Sequence, residues 1–238
     1  FTLIETHHDA ARDFIAAHPA LARARLRDPR GFTAAGGTAL HLAAYMGYDK
    51  VAGWLIDAGA DVNARDQNGL TPLVAAAINR KPATVQMLLR NQADPNIATK
   101  DGTTALMKAA GSGCAICVRA LLEKGAKADA LDDNRRGALH ETIWLQDDKA
   151  AHEIIRRLLV AGANPAQRDK SGKTALDDAR HMTFVTASII EAEIASVAAE
   201  RAEAAQKAAV AREIGKMKHG TGARLPAPGT ARFRRPRP

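Results

Sequence analysis

The sequence predicts an all-α solenoid, a stack of short helical hairpins, and two observations carry that prediction. First, Thr38-Ala39-Leu40-His41-Leu42-Ala43-Ala44 returns as Thr71-Pro72-Leu73-Val74-Ala75-Ala76-Ala77 and as Thr104-Ala105-Leu106-Met107-Lys108-Ala109-Ala110. It returns more weakly as Gly137-Ala138-Leu139-His140 and again as Thr174-Ala175-Leu176, at intervals of 33, 33, 33 and 37 residues. Second, Gly59-Ala60, Gln92-Ala93, Gly125-Ala126 and Gly162-Ala163 follow those starts by 21, 21, 21 and 25 residues. A fixed period of this size means repeated units, because one helical hairpin cannot bury its apolar face alone. Such a chain usually works by presenting a surface.

The elements follow in order. Residues 1–35 read as a degenerate N-terminal half-repeat, in which Asp9 to Ala17 is a second helix ended by His18-Pro19. The chain begins at Phe1 inside that unit, which predicts an upstream segment, a targeting peptide or tag among the candidates. Residues 36–183 hold about five repeats, each reading turn, short helix, longer helix, turn. The glycine after the longer helix enters the left-handed region without a Cβ penalty. Asn68-Gly69 and Asp101-Gly102 favour tight reversals at the tips between units. The fourth unit departs from the pattern: Arg135 stands for the turn glycine and Gly137 for the threonine. Four extra residues near Gln146 to Lys149 are expected to lengthen its inter-helix loop, either as a contact surface or as drift in a tolerant loop.

The Thr-x-Leu-His-x-Ala-Ala and Gly-Ala-Asp-Val-Asn type motifs resemble the ankyrin repeat family over roughly residues 31 to 183. That resemblance implies a concave face built from hairpin tips and first helices, on which partners dock. It also implies that His41 and His140 bridge neighbouring repeats by hydrogen bonds, with Val74, Met107 and Asp177 replacing them elsewhere.

Beyond the repeats, Phe184 to Ile214 lacks Pro and Gly and is rich in Ala, Glu, Lys and Arg. It predicts a helix about 45 Å long. Ile190, Ile194 and Val197 form a stripe expected to cap the stack, while Ala204, Ala205 and Ala208, with a Glu203–Lys207 pair, mark a projecting arm or a helix folded back on the last repeat. Residues 215–238, with Gly215, Gly220, Gly222, Pro226, Pro228, Gly229, Pro236 and Pro238, are expected to be extended.

Charge is unevenly placed. The net +8 resides almost wholly after Ala211, where Arg212, Lys216, Lys218, Arg224, Arg232, Arg234, Arg235 and Arg237 face a single acid, Glu213. Such a tail binds polyanions with little sequence preference, and Phe233 among its arginines is placed to stack on a base. A solubilising end or an import remnant is the plainer reading.

Little points to chemistry. There is no phosphate loop, no His-Glu-x-x-His and no Gly-x-Ser-x-Gly, so no catalytic residue, metal or cofactor is expected. Asp132-Asp133 and Asp177-Asp178 read as capping or solvated acids, and His7-His8 is too local for a metal site. Cys114 and Cys117, spaced as Cys-x-x-Cys, suggest a redox pair or half of a zinc site; without a second pair they are read instead as small buried reduced thiols, Cys117 aligning with Val51 and Ile154. Reduced thiols imply a reducing intracellular compartment, cytoplasm or organelle matrix. Aromatic content of 4% fits poorly with a deep aromatic-lined pocket, and no stretch of 18 apolar residues predicts a membrane span.

The resemblance places the variable positions of the concave face at Tyr45 and Met46, Ile78 and Asn79, Gly111 and Ser112, Trp144 and Leu145, and His181 and Met182. Six of these are sizeable apolar or aromatic residues, a composition that marks interfaces unless several prove to be core. The tips add Arg65, Gln67, Asn68 and Lys100, whose mixed charge with neighbouring acids favours a protein over a nucleic acid. The expected function is a non-enzymatic scaffold that docks a protein on this face, with the tail anchoring it in a larger complex. The alternatives are a structural ribonucleoprotein subunit, as in an organellar ribosome, whose tail contacts RNA, and an inhibitor or immunity-type protein that binds an enzyme.

Overall fold

A computed structural model describes residues 2–25, 36–182 and 184–220. Residues 1–197 form one unit and residues 198–238 a second. The first is a stack of helical hairpins: α1 (Thr2–Ala17) and α2 (Pro19–Arg23), then α3 (Ala39–Met46) with α4 (Asp49–Asp57), α5 (Pro72–Ile78) with α6 (Pro82–Arg90), and α7 (Ala105–Gly111) with α8 (Ala115–Glu123). The fourth hairpin is α9 (Ala138–Glu141), a 3-10 turn (Thr142–Trp144) and α10 (Asp148–Val160); α11 (Ala175–Met182) and α12 (Phe184–Gly220) complete the chain. First helices pack on first helices from α3 through α11, and second helices on second helices from α4 through α10. Among the described residues there is no strand, only one isolated bridge between Arg25 and Thr38.

The threonines recur because each starts a first helix. Thr71 Oγ1 accepts from the Val74 amide and Thr104 Oγ1 from the Met107 amide, both at 3.3 Å, satisfying one of the orphan donors of a helix start. At Thr174 the cap is reciprocal: its hydroxyl accepts from the Asp177 amide and the Asp177 carboxylate accepts from the Thr174 amide. The leucine two residues after each threonine fills the interior: Leu40, Leu73 and Leu106 are buried, as is Leu139 in the fourth repeat. Leu88, Leu121, Ile154 and Leu158 meet them from the second helices. Alanines between these rows, such as Ala44, Ala77 and Ala110, let neighbouring helices approach closely.

All twelve left-handed backbone positions among the described residues fall at three points of the repeat. They are the tip, the junction between first and second helix, and the end of the second helix. Nine are glycine, and Arg80, Gln92 and Arg135 hold the others at φ of 53°, 64° and 61°. At Gly102 the need for glycine is double: φ is 81°, and a Cβ would lie 2.9 Å from the Asp132 Cα of the next tip.

Three expectations are corrected here. The extra residues of the fourth repeat do not lengthen the inter-helix loop. They extend α10, which has 13 residues where α4, α6 and α8 have 9. Four residues are close to one helical turn, and Asp147 caps that turn by accepting from the Lys149 and Ala150 amides. Cys114 and Cys117 are not free thiols but are joined by a disulfide. Cys114 caps α8 and Cys117 lies in its first turn, which brings their Cα atoms to 5.2 Å, inside the range a disulfide spans; the inference of a reducing compartment loses its ground. Finally, α12 does not stop at Ile214 but continues to Gly220, so Gly215, Lys216 and Lys218 are helical and not extended. One glycine among helix formers costs about 1 kcal/mol, too little to end a helix. Ile189, Ile190 and Val197 of α12 are buried, whereas every residue from Ala198 to Arg212 is exposed and Glu203 pairs with Lys207 at 2.6 Å.

Candidate protein-binding face

The hairpin tips share one construction. Asp66 Oδ1 accepts from the Asn68 and Leu70 amides, Asp132 Oδ1 from the Asn134 and Arg136 amides, and Asp169 Oδ1 from the Ser171 and Lys173 amides. At the third tip Thr99 takes the aspartate's place, and Asp101 accepts from the hydroxyls of Thr99 and Thr103. Those hydroxyls, Thr99 first, hold the Asp101 carboxyl below the usual carboxylate range. Each tip is bonded to the next through the backbone: Lys100 N donates to Asn68 O, Asp133 N to Asp101 O and Lys170 N to Asn134 O, all at 2.9 Å.

The histidines fix tips to helices. His41 Nδ1 accepts from the Thr38 amide, so Nε2 carries the proton and donates to Leu70 O of the next tip at 2.9 Å. His140 repeats this with the Gly137 amide and Lys173 O, the second contact stretched to 3.4 Å. Burial lowers the pKa of both rings and keeps them neutral. Among the described residues no cluster of His, Cys, Asp or Glu has the makings of a metal site.

Along the first helices the expected contact residues are unequally placed. Met46, Ile78 and Trp144 are exposed, Trp144 by 59%. Tyr45 is half-buried. Asn79 is half-buried too, and its amide donates to Ala75 O. Leu145 packs partly against the core, and its Cδ2 would lie 3.2 Å from a Cβ placed on Gly113. Gly111 and Ser112 are half-buried and His181 is exposed. The side chain of Met182 lies outside the described residues. At the tips Arg65, Gln67, Asn68 and Lys100 are exposed, and Arg65 spends one guanidinium nitrogen on Ala98 O at 2.8 Å. Lys216 and Lys218 are placed only as backbone of α12; Arg224, Arg232, Phe233, Arg234, Arg235 and Arg237 lie outside the described residues.

The sequence did not single out three further features. Lys108, half-buried on α7, occupies the repeat position of Ala75. Tyr48 and Ile116, 55% and 48% exposed, add apolar surface at the inter-helix junctions. Arg136 is enclosed by acids: Asp178 at 3.2 Å, Glu141 at 3.6 Å and Asp169 at 3.8 Å, while its Nη2 donates to His140 O. The three acids come from α9, the last tip and α11, and only Asp169 sits at a position that other tips repeat, so periodicity does not reveal the cluster.

A row of first helices, edged by tips locked together through their backbones, defines a stacked helical-repeat protein. Three overlapping copies of the ankyrin repeat family model match residues 7–99, 40–134 and 73–169. The chain belongs to the ankyrin repeat family, whose repeats generally mediate protein–protein interaction and are generally non-enzymatic. It is 38% identical to bovine mitochondrial disaggregase over 131 residues, covering 53% of this chain and 18% of that protein. It is 35% identical to mouse neurogenic locus notch homolog protein 1 over 142 residues, covering 59% of this chain and 6% of that protein. With human neurogenic locus notch homolog protein 2 it shares 38% over 135 residues, covering 56% of this chain and 5% of that protein. The chain thus matches only a small part of the length of these relatives. Among the described residues no helix is long and apolar enough to cross a membrane.

Proposed function

We propose that the chain is a non-enzymatic scaffold that docks a protein partner on its concave face, its basic C-terminal segment anchoring it in a larger assembly. The observation that carries this reading is a set of exposed apolar side chains at neighbouring repeat positions, Met46 of α3, Ile78 of α5 and Trp144 of the 3-10 turn after α9, on a backbone made rigid by packed hairpins. Large apolar groups held in fixed positions bind with little ordering cost, and aromatic residues dominate interface energetics. Combined Tyr45→Ala and Trp144→Ala substitution is expected to abolish capture of the partner from native extract while leaving the helical circular dichroism unchanged. Capture that survives the double substitution overturns the reading.

The tail supports a second reading, a ribonucleoprotein subunit, through its concentration of positive charge. Because α12 runs to Gly220, the discriminating truncation ends there. Retention of RNA by the full chain alone, lost steeply with salt, favours the ribonucleoprotein. Retention of one protein by both chains at low and high salt favours the concave face and leaves the tail secondary.

A further inference from the structure

The acids and bases of the inner face differ in whether they already have partners. The carboxylates are already engaged. Asp66, Asp132 and Asp169 accept from amides of their own tips. Asp101 accepts from two threonine hydroxyls. Asp177 caps α11, and Glu141 and Asp178 surround Arg136. Asp133 alone remains exposed without such a role. Against it stand Lys100, Lys108, Arg135 and Lys170, whose side-chain cations have no carboxylate or hydrogen-bond partner among the described residues. Bonds from neutral amides and hydroxyls leave the tip aspartates charged, so the face as a whole stays mixed; what sets the four cations apart is that they are free to take a new partner.

Two of those cations converge. Lys100 and Lys108 line one recess of about 370 Å³ between the second and third tips, with Asn68 and Asp101 at its rim and Leu70 and Val74 on its walls. Val74 is buried and Lys108 half-buried, so a group entering here leaves part of its water behind. Asp101 is kept ionised by the Thr99 and Thr103 hydroxyls and offsets one of the two lysines, which leaves two ammonium groups against one carboxylate in the lining. We propose that this recess seats an aspartate or glutamate side chain of the partner, and that the segment lying along the inner face is acidic with aliphatic or aromatic anchors. The proposal rests on the concave-face reading above and names the chemistry of its partner. The recess itself is walled by Leu70 and Val74 and offers no planar surface for base stacking, which favours a protein side chain over a nucleotide at this point.

Selection of short random peptides displayed on phage against the immobilised full chain tests this without knowledge of the partner. The selected peptides should be enriched in Asp and Glu beside apolar residues, and their binding should weaken as salt rises. The double variant Lys100→Glu, Lys108→Glu should bind those peptides at least about tenfold more weakly, as expected for breaking charge complementarity, and should select Lys- or Arg-containing peptides instead. The milder Lys100→Gln, Lys108→Gln pair, checked by circular dichroism, guards against misfolding and should weaken binding without reversing the selection. Peptides with no acidic preference that still require Tyr45 and Trp144 would overturn the proposal while sparing the concave face. Acidic peptides that require the two lysines but not Tyr45 or Trp144 would uphold the recess and overturn the wider face. A single-stranded oligonucleotide bound as tightly as the selected peptides, through the same lysines, would overturn the proposal in favour of nucleic acid.

Discussion

The third and fourth repeats solve the same problem by different means. In the third, Thr104 caps α7 with its hydroxyl, Gly102 makes the tip, and both helices keep the lengths of their predecessors. In the fourth, Gly137 supplies no cap oxygen, Arg135 occupies the left-handed tip position, and α9 shrinks to four residues before a 3-10 turn. What replaces the lost local signals is charge: Arg136 binds three carboxylates from three elements and also meets His140 O. A solenoid therefore tolerates a poorly capped unit when its neighbour on the C-terminal side grips it electrostatically. The regular repeat should depend on packing and be insensitive to salt; the irregular one should depend on an ion network and weaken with salt.

This contrast can be broken at several points. The largest effect is expected in the regular repeat, where Leu106→Ala should cost about 2–5 kcal/mol in a urea melt by opening a cavity among fully buried neighbours. Arg136→Met should cost about 1–3 kcal/mol, because it removes the cation shared by three partly buried carboxylates. That cost should shrink in high salt, whereas the cost of Leu106→Ala should not; equal salt behaviour would remove the distinction between the two repeats. Exchanging the tip residues should give opposite signs. Gly102→Ala is expected to destabilise by about 1–2 kcal/mol or more, since it meets both a left-handed backbone and the Asp132 Cα. Arg135→Gly should stabilise by no more than about 1 kcal/mol, relief of strain being offset by the greater unfolded-state freedom of glycine. The smallest effect is pH dependence. Burial lowers the pKa of His41 and His140 below that of a free histidine, about 6.5. The unfolded chain then takes up protons before the folded one, so stability is full above about pH 6.5 and falls as pH drops below it. Urea midpoints at neutral and mildly acidic pH should differ less in a His41→Gln, His140→Gln variant.

The fold was legible because its signals are local and repeated. Threonine caps, left-handed glycines and a leucine per first helix announce themselves at a fixed period. What escaped reading depends on length or on tertiary partners. An insertion of four residues looks the same on paper whether it enlarges a loop or adds a turn to α10. The Cys-x-x-Cys spacing of Cys114 and Cys117 fits free thiols and a bonded pair equally, and which of them forms depends on two side chains meeting within one turn. The candidate face was legible at Met46, Ile78 and Trp144, where repeat position marks exposure. It was less legible at Leu145, whose packing under the neighbouring unit has no sequence mark. The significance of Lys108 was invisible, because lacking a partner is a property of three-dimensional surroundings and not of a residue.

The tip-to-tip bonds carry a consequence for how this surface can change. Their donors are the amides of Lys100, Asp133 and Lys170, and their acceptors are the carbonyls of Asn68, Asp101 and Asn134. Every atom in that ladder belongs to the main chain. The side chains at 100, 133 and 170 are therefore spectators to the spacing they decorate, and the alternation of lysine, aspartate and lysine there can be rewritten by substitution without moving a tip. Inheritance of the frame and invention of the recognition pattern are separable in this molecule, so a lineage of such chains can keep one architecture while drifting from partner to partner.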